Sequence, residues 1–408
     1  MLGIFFQGTG AVTQQLAARA HISEVFRVFL WLGLTSFGGP VAHLGYFRTE
    51  FVERRRWLSE AAYADLVALC QFLPGPASSQ VGFALGLMRA GPCGAAAAWL
   101  AFTLPSAVVL VLFALGAAVL DGPIASGLIH GLKIVAVAIV AHAVWGMARN
   151  LCPDKTRTGI ALLAVFTVVF LSGPMGQVSA IVAGGLTGLI LCREVSMPTQ
   201  ERLHFSVSRQ AGVVALILFA GLLIVLPLFA GSGVWLDILD AFYRSGALVF
   251  GGGHVVLPLL EAEVVQSGWV TPDAFLTGYG AAQAVPGPLF TFAAYLGALL
   301  PGVNGLAGAL LALLAIFVPG FLLLVGVLPF WNRFRQWGSA QALMRGANAA
   351  VVGILAAALY QPVWTSAIIG PYEFALALTG FLLLTVWKLP AWAVVIVIAL
   401  GGLLISTL

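Results

Sequence analysis

Charged residues are scarce in this sequence. Lys, Arg, Asp and Glu together make up 8% of the 408 residues, whereas hydrophobic residues make up 61% and the mean hydropathy is +1.04. Soluble domains carry about 25% charged residues, so an ordinary water-exposed surface is excluded. The apolar runs are unbroken and of helix length, without the ~10-residue alternation of a transmembrane barrel strand. The composition therefore indicates an all-α polytopic membrane protein.

Motifs of enzymes and of ATP-driven pumps are also missing. The sequence contains no GxxxxGK[ST] phosphate loop, no HExxH and no GxSxG. The four cysteines stand apart without a CxxC pair, which is typical of buried apolar side chains rather than of metal or redox sites. We therefore expect no enzymatic activity, no metal, no cofactor and no nucleic-acid partner.

One short phrase occurs twice in the chain. Residues 71–76 read Gln-Phe-Leu-Pro-Gly-Pro, and residues 283–288 read Gln-Ala-Val-Pro-Gly-Pro. A Gly-rich phrase precedes each of them, Ser-Phe-Gly-Gly-Pro at 36–40 and Val-Phe-Gly-Gly-Gly at 249–253. Glycine and proline interrupt helices, so each half carries two matching breaks inside apolar sequence. Single breaks of this kind often only kink a helix, but matching breaks in two halves of a membrane chain indicate a transporter binding site.

The two halves are predicted to form an inverted repeat. The predicted division is an N-terminal repeat over 1–195, a linker with one unpaired transmembrane helix over 196–231, and a C-terminal repeat over 232–408. The unpaired helix reverses the second half. In agreement, the arginine cluster at 48–56 corresponds to a segment at 261–268 without Lys or Arg. Because Lys and Arg concentrate in cytoplasmic loops, we expect a cytoplasmic N terminus in a bacterial inner membrane and roughly 10–13 membrane segments.

The helix breaks are suited to anion binding. The first N–H groups of a helix have no intrahelical partner and carry the positive end of the helix dipole, so they bind oxyanions. Pro40 and Pro76 suit the first helical position, with Gly39 and Gly75 as N-caps. The candidate substrate ligands at the breaks are Ser36, Gly38, Gly39, Pro40, Gln71, Pro74, Gly75, Pro76, Ser78 and Gln80 in the first half, and Gly251, Gly252, Gln283, Gly287 and Thr291 in the second.

Four ionisable residues inside apolar sequence are further candidates. Lys133 lies near the middle of the predicted span 124–148, where a charge is costly and usually functional. Its ammonium either balances a bound dianion or pairs with another protein group. His43 and His254 follow the Gly-rich breaks, and Asp65 lies in an otherwise apolar segment. Each is a candidate for carrying a coupling proton, and a histidine satisfied by buried hydrogen bonds is the alternative.

The quoted phrases resemble those of a known family. The phrases at 36–40 and 71–76, with Trp-Leu-Ser at 57–59 between them, are similar to the chromate ion transporter (CHR) family, and those at 249–253 and 283–288 are similar to its second domain. The resemblance covers nearly the whole chain, as in the long two-domain members. It implies a chromate exporter of the bacterial inner membrane that is driven by the proton-motive force.

The second half departs from the first at its breaks. Val249 stands in place of Ser36, and Phe290 stands in place of Ser78, so we expect the first half to contribute more of the site. The function expected is secondary active chromate export by alternating access. The alternatives are a transporter for sulfate or another oxyanion and a passive anion channel. The expected partners are the chromate or sulfate anion and the lipid bilayer, and a homodimer is left open.

Overall fold

A computed structural model describes residues 7–117, 122–193, 207–334 and 337–406, and does not describe the side chains of residues 7–20, 117, 123 and 332. Every regular element within these ranges is a helix, which confirms the predicted all-α class. The predicted boundary between the first repeat and the linker lies outside the described residues.

The helices of the first half follow the predicted breaks. The Gly-rich phrase separates the first two helices, and the Pro-Gly-Pro phrase separates the next two. The helices of this half are α1 (Gln7–Thr35), α2 (Gly39–Arg48), α3 (Glu60–Phe72), α4 (Ala77–Ala117), α5 (Pro123–Leu151), α6 (Lys155–Phe170) and α7 (Pro174–Leu191). Non-helical dihedral angles at Ala90 and Gly91 divide α4 into a short first segment and a long second one.

The second half repeats this order after the unpaired helix α8 (Arg209–Val225). Its helices are α9 (Val234–Ala247), α10 (Val256–Leu260), α11 (Pro272–Ala284), α12 (Phe292–Leu299), α13 (Gly305–Val327), α14 (Trp331–Phe334), α15 (Gly338–Ala358), α16 (Thr365–Ala367), α17 (Pro371–Thr385) and α18 (Ala391–Ile405). In order along the chain, α9 to α11 correspond to α1 to α3, and α12 and α13 correspond to the two segments of α4. The last three long helices, α15, α17 and α18, correspond to α5, α6 and α7.

The repeat extends to local detail. The Ser59 hydroxyl caps α3 by accepting from the Ala62 N–H at 3.1 Å, and the Thr271 hydroxyl caps α11 by accepting from the Ala274 N–H at 3.2 Å. Ser and Thr are favoured at this position because they satisfy an N–H group that has no intrahelical partner. The same cap therefore starts the same helix in each half.

Several helices have the dimensions of membrane spans. Six stretches of the described chain are long and apolar enough to cross a bilayer, at Ala77–Gly116, Ile124–Leu151, Pro174–Leu191, Arg209–Phe229, Gly305–Phe330 and Gly338–Ala367. Shorter apolar helices lie at Leu289–Leu299, Pro371–Thr385 and Ala391–Ile405. The chain is thus a multi-pass membrane protein with two repeated halves.

The two halves interlock through α5 and α15. Helix α5 of the first half packs on α17 and α18 of the second, and α15 of the second half packs on α6 and α7 of the first. Glycines permit the close approach. A Cβ added at Gly131 would lie 2.6 Å from the Cα of Ala399, and one added at Gly346 would lie 2.7 Å from the Cα of Gly188. Small residues at such crossings are the usual means of packing apolar helices in lipid.

The buried apolar side chains form two clusters. The smaller cluster joins the first four helices to the end of α13, and the larger one fills the space among the remaining helices. In the smaller cluster, the ring of Phe29 lies 5.1 Å from that of Phe51 and 5.6 Å from that of Phe47. These rings pack α1 against the C-terminal end of α2 and the segment that follows it, and Gly82 of α4 contacts Phe29 and Phe47.

Candidate functional site

The four breaks meet in pairs at the interface between the halves. The N–H of Gly75 donates to the carbonyl oxygen of Val249 at 2.7 Å, and the N–H of Gly287 donates to that of Ser36 at 3.0 Å. Gly75 and Gly287 occupy the same place in the two Pro-Gly-Pro phrases, and Ser36 and Val249 begin the two Gly-rich phrases. Each Pro-Gly-Pro break therefore binds the Gly-rich break of the opposite half.

Each Pro-Gly-Pro break also rests on a helix of the opposite half. A Cβ added at Gly75 would lie 3.0 Å from the Cα of Gly320 in α13, and one added at Gly287 would lie 2.8 Å from the Oγ of Ser106 in α4. Gly320 and Ser106 both directly follow the internal proline of their helix. The two glycines have φ angles of 122° and 105°, which L-residues with a side chain rarely adopt. Glycine is required at both positions by conformation and by space.

A buried polar cluster surrounds one of these junctions. The Nε2 of His43 lies 3.1 Å from the carbonyl oxygen of Ser36, and its Nδ1 lies 3.4 Å from the Oγ of Ser78. A carbonyl oxygen only accepts, so Nε2 carries a proton, and in the neutral ring Nδ1 accepts from the Ser78 hydroxyl. The three side chains are at most 2% exposed. We call Ser36, His43 and Ser78 the half-one polar cluster, and we include Thr103 of α4 because the preceding residue, Phe102, contacts the ring of His43.

Several hydroxyl groups in this region have spare hydrogen-bonding capacity. The Oγ atoms of Ser36 and Ser79 and the Oγ1 of Thr103 are buried without a partner among the described residues. Phe102, which precedes Thr103, contacts the ring of His43 at a centroid distance of 5.3 Å. An unpaired buried polar group costs about 1–3 kcal/mol, so such groups are rare unless something else binds them. These hydroxyls are therefore candidate donors to a ligand.

The equivalent positions of the second half are apolar. The replacements are Val249 for Ser36, Val256 for His43, Phe290 for Ser78 and Phe317 for Thr103. The chain after each break there starts with a 3-10 turn, at 253–255 and 289–291, instead of an α-helical first turn. The Thr291 hydroxyl already donates to the carbonyl oxygen of Pro288 at 2.7 Å. The second half thus offers few donors at its breaks.

The helix starts of the first half lie close to their expected positions. Helix α2 begins at Gly39, so Gly38 is its N-cap and Pro40 its second residue, one residue earlier than expected. Helix α4 begins at Ala77, so Pro76 lies just outside it. A Cβ added at Gly39 would meet no atom within 4 Å, which means that the N-terminus of α2 borders open space. Its first N–H groups are accessible to an anion.

Gln80 holds a break in place. Its Nε2 donates to the carbonyl oxygen of Pro74 at 3.0 Å and to that of Gly320 at 2.9 Å. The amide therefore joins the first Pro-Gly-Pro break to α13, and the N–H groups of Gly75 and Gly287 are likewise used between the halves. A role for these three donors in substrate binding stays a prediction.

The two hairpins that carry the breaks differ in exposure. We call α2 with α3 the half-one hairpin and α10 with α11 the half-two hairpin. The exposed residues of the half-one hairpin and the break before it include Gly38, Val41, Gly45, Ala64, Ala68 and Gln71. Their equivalents in the second half are partly or fully buried, namely Gly251, His254, Pro258, Leu276, Gly280 and Gln283. Val41 is 82% exposed, whereas Leu276 is 0% exposed. The repeat is thus symmetric in its helices but not in its accessibility.

Contacts with the first half cover the half-two hairpin. The Nε2 of Gln177 in α7 donates to the carbonyl oxygen of Pro258 at 2.6 Å. Helix α11 packs along α5, where Gly280 meets the backbone of Leu132. Among the described residues, α3 makes no comparable contact with α15 or α7. One side of the molecule is closed over its breaks, and the other is open.

Comparison with known proteins identifies the family. A family model described as chromate transporter matches residues 23–189 and again residues 236–404. The chain belongs to the chromate transporter family. It is 27% identical to a chromate transport protein of Pseudomonas aeruginosa over 97% of this chain and 94% of that protein. It is 30% identical to a probable chromate transport protein of Synechococcus elongatus over 83% of this chain and 84% of that protein.

A shorter relative in the family matches only part of the chain. An uncharacterized transporter of Bacillus subtilis, YwrA, is 32% identical over 41% of this chain, and the match covers 96% of that protein. No solved structure gives a significant match. The resemblance seen in the Gly-rich and Pro-Gly-Pro phrases is therefore confirmed as membership of the chromate transporter family, in the two-repeat form.

The ionisable candidates of this family member all have partners. The Nζ of Lys133 lies 2.9 Å from the Oδ1 of Asp273. The Nδ1 of His254 lies 2.8 Å from the hydroxyl oxygen of Tyr279. Asp65 accepts from the Nε1 of Trp331 at 3.2 Å and is 3% exposed. Of the two interpretations of Lys133, its pairing with a protein group is what this structure contains, and a counter-charge role stays a prediction, as do the proton-carrying roles.

The remaining candidates lie at the second Gly-rich break. Gly251 and Gly252 have φ angles of 73° and 152° and lie beside the side chain of Met147. The Oδ1 of Asn348, the repeat equivalent of Lys133, is buried there without a partner among the described residues. Gln283 is 9% exposed, and its Nε2 also lacks a described partner.

Three polar residues were missed at the level of sequence. Thr103 and Ser106 flank the proline inside α4, and Asp273 starts α11. A signal for the first two exists, because the internal proline of α4 has an equivalent in α13, Pro319, at the same place in the repeat. No local signal connects Asp273 with Lys133, since the two residues are distant in sequence.

Proposed function

We propose that the chain exports chromate across the bacterial inner membrane as a secondary active transporter driven by the proton-motive force. The observation that carries the proposal is the half-one polar cluster, in which the buried hydroxyls of Ser36 and Thr103 have no partner among the described residues and Ser36 lies at the Gly-rich break just before α2. Chromate is a tetrahedral oxyanion, and such donors suit its oxygens. The similarity to the chromate transport protein of Pseudomonas aeruginosa and to the probable chromate transport protein of Synechococcus elongatus supports the same substrate.

The proposed site binds the anion mainly through uncharged hydrogen-bond donors, hydroxyl and backbone N–H groups, and less through Lys or Arg side chains. Ser36 and Thr103 supply hydroxyls without partners, Ser78 supplies another when its hydroxyl turns away from the Nδ1 of His43, and the accessible N–H groups after Gly38 supply the positive end of the α2 dipole. A helix N-terminus of this kind binds an oxyanion without a neighbouring Lys or Arg. Lys133 adds long-range positive charge only when its pairing with Asp273 is broken.

The driving force follows from the charge of the substrate. Export of a dianion from a negatively charged cell interior lowers its electrical free energy by about 5 kcal/mol per 100 mV of membrane potential, since moving one charge across 100 mV is worth about 2.3 kcal/mol. The electrical part of the proton-motive force therefore favours export. His43, Asp65 and His254 are the proposed candidates for coupling to protons, and His43 is the one in contact with the half-one polar cluster.

Alternating access is the proposed mechanism. The two hairpins have the same fold but differ in exposure. The path from the helix breaks to the surface is therefore open on the side of the half-one hairpin and closed on the side of the half-two hairpin. In an inverted repeat, an exchange of these two conformations between the halves opens the opposite side. The absence of Lys and Arg from 261–268, against the arginines of 48–56, supports the inverted arrangement and a cytoplasmic location for the open side.

The test is radiolabelled chromate uptake into everted membrane vesicles energised with NADH. Uptake that a protonophore abolishes, that sulfate inhibits and that is lost in Ser36→Val would support the proposal. The Val249→Ser variant, at the equivalent position of the second half, is the matched control and is expected to transport normally. Valinomycin with potassium and nigericin separately remove the electrical and the chemical parts of the driving force.

Two outcomes would replace the proposal. Uptake that valinomycin with potassium abolishes, that nigericin leaves unchanged and that an imposed pH gradient at zero membrane potential cannot drive indicates a passive anion channel. Energised sulfate uptake without any chromate uptake indicates a transporter for sulfate or a related oxyanion.

A further inference from the structure

The ion pair between Lys133 and Asp273 connects a fixed helix to a covered hairpin. Lys133 lies in α5, which is anchored to α17 and α18, and Asp273 lies in the first turn of α11 in the half-two hairpin. The Nζ to Oδ1 distance is 2.9 Å, and the two side chains are 11% and 67% exposed. Gly280 contacts the backbone of Leu132, next to Lys133, so α11 is attached to α5 at two points.

The open side of the molecule has no equivalent pair. In the repeat, Asn348 corresponds to Lys133 and Ala61 corresponds to Asp273, so neither charge is present. The half-one hairpin is also the exposed one, and it lacks the packing of α11 on α5. The charged pair and the closed hairpin therefore occur together on one side, and both are missing on the other.

The pair has the properties of a contact that breaks and re-forms. Asp273 is largely exposed, so water solvates its carboxylate when the pair separates, and partly exposed pairs of this kind are weak. A more buried pair in the second half differs in geometry and exposure. Arg244 binds Glu263 through two nitrogen–oxygen contacts of 2.8 Å, and Glu263 is only 9% exposed.

We infer that the Lys133–Asp273 pair is a latch that holds the half-two hairpin closed against α5 and that separates when this side opens. Lys133 is then a positioning residue of the gate, and its ammonium acts on the carboxylate of Asp273 instead of on a bound anion. The inference rests on the proposed function only in taking the half-two side to open during transport. It requires no particular substrate.

Thiol accessibility tests the latch without a transport assay. The four native cysteines are replaced, and Thr277→Cys is introduced one turn after Asp273, where the native side chain is 2% exposed. The rate of modification by a membrane-impermeant thiosulfonate is measured from each side, in intact cells and in everted vesicles. Lys133→Met and Asp273→Asn are each expected to raise the rate from the side of the half-two hairpin about five-fold, the effect of losing a partly exposed ion pair.

Two further variants decide the interpretation. The charge-swapped protein, Lys133→Glu with Asp273→Lys, is expected to return to the slow rate because the pair is restored with opposite polarity. The control is His130→Gln, on the same helix α5 as Lys133. It removes the contact of 3.4 Å between the Nε2 of His130 and the Oε1 of Glu373 in α17, and it is expected to leave the modification rate unchanged. Fast modification in the swapped protein, or no acceleration in either single variant, would overturn the latch.

Chromate uptake by the same variants separates this inference from the proposed function. Restored slow modification together with restored uptake in the swapped protein supports the latch. Slow modification in every variant with uptake lost in both Lys133→Met and the swapped protein would overturn it and assign Lys133 to the substrate, which leaves the proposed transport function intact.

Discussion

Alanine substitution at three glycines of the breaks is expected to destabilise the protein to different degrees. Replacement of Gly75, Gly287 or Gly39 by alanine adds one methyl group at a positive φ in each case. The φ of 78° at Gly39 lies near the left-handed helical region, so alanine there costs roughly 1–2 kcal/mol, with open space around the added methyl. Gly39→Ala is therefore the mild member of the series.

Gly75→Ala combines strain with a collision. Its φ of 122° lies outside the left-handed helical region and costs roughly 1–3 kcal/mol for a residue with a side chain. The added Cβ would lie 3.0 Å from the Cα of Gly320 and 2.9 Å from the Nε2 of Gln80. A shift of that amide loses one or two hydrogen bonds of about 1 kcal/mol each, so the total is roughly 2–5 kcal/mol.

Gly287→Ala is expected to fall between the other two. Its nearest obstacle is the Oγ of Ser106, a side-chain atom that can rotate away, whereas the nearest backbone atom lies at 3.3 Å. The assay is the fraction of protein that stays monodisperse in detergent after heating, with energised chromate uptake measured on the same preparations. The expected order of damage is Gly75→Ala, then Gly287→Ala, then Gly39→Ala. Equal damage at Gly39 and Gly75 would refute the proposed origin of the effect.

Three more predictions follow from the fold and its topology. A reporter fused after Arg56 is expected to report the cytoplasm and one fused after Glu263 the outside, and the same result at both positions would exclude the inverted repeat. Gly346→Val is expected to abolish stable expression because α15 contacts α7 at this glycine. The control is Gly146→Val, which is expected to be well tolerated because a Cβ added there meets no atom within 4 Å. Similar expression of the two variants would contradict the close packing of α15 on α7. Gln80→Leu is expected to lower stability by roughly 2 kcal/mol through loss of two hydrogen bonds, measured by the same heating assay, and unchanged stability would show that those bonds contribute nothing.

Local features of the fold were accessible from the sequence. The glycines and prolines of the two phrase pairs predicted where helices end, because their effect on the backbone is local. The loss of donors in the second half was also visible, since Val249 and Phe290 replace hydroxyl residues. The repeat itself predicted which elements correspond.

Features that depend on distant residues were not accessible in this way. Gln80 was expected to face a substrate, and in the structure its amide binds Gly320, far away in the chain. Lys133 was recognised as unusual, but its partner Asp273 is identified only once α11 packs on α5. The difference in exposure between the hairpins was likewise not predicted, because it depends on how α11 packs on α5 and α7 contacts Pro258.

The interlocked positions of α5 and α15 also constrain how the chain is made. A ribosome delivers α5 to the membrane long before α17 and α18, the helices on which it packs, have been synthesised. During that interval α5 exposes to lipid or to insertion factors the glycine surface and the Lys133 side chain that the finished protein covers. The packing of α5 is therefore completed only when α17 and α18 are present. A chain truncated after α8 leaves this surface of α5 without those two helices, and we expect a lower level of it in the membrane than of the full chain.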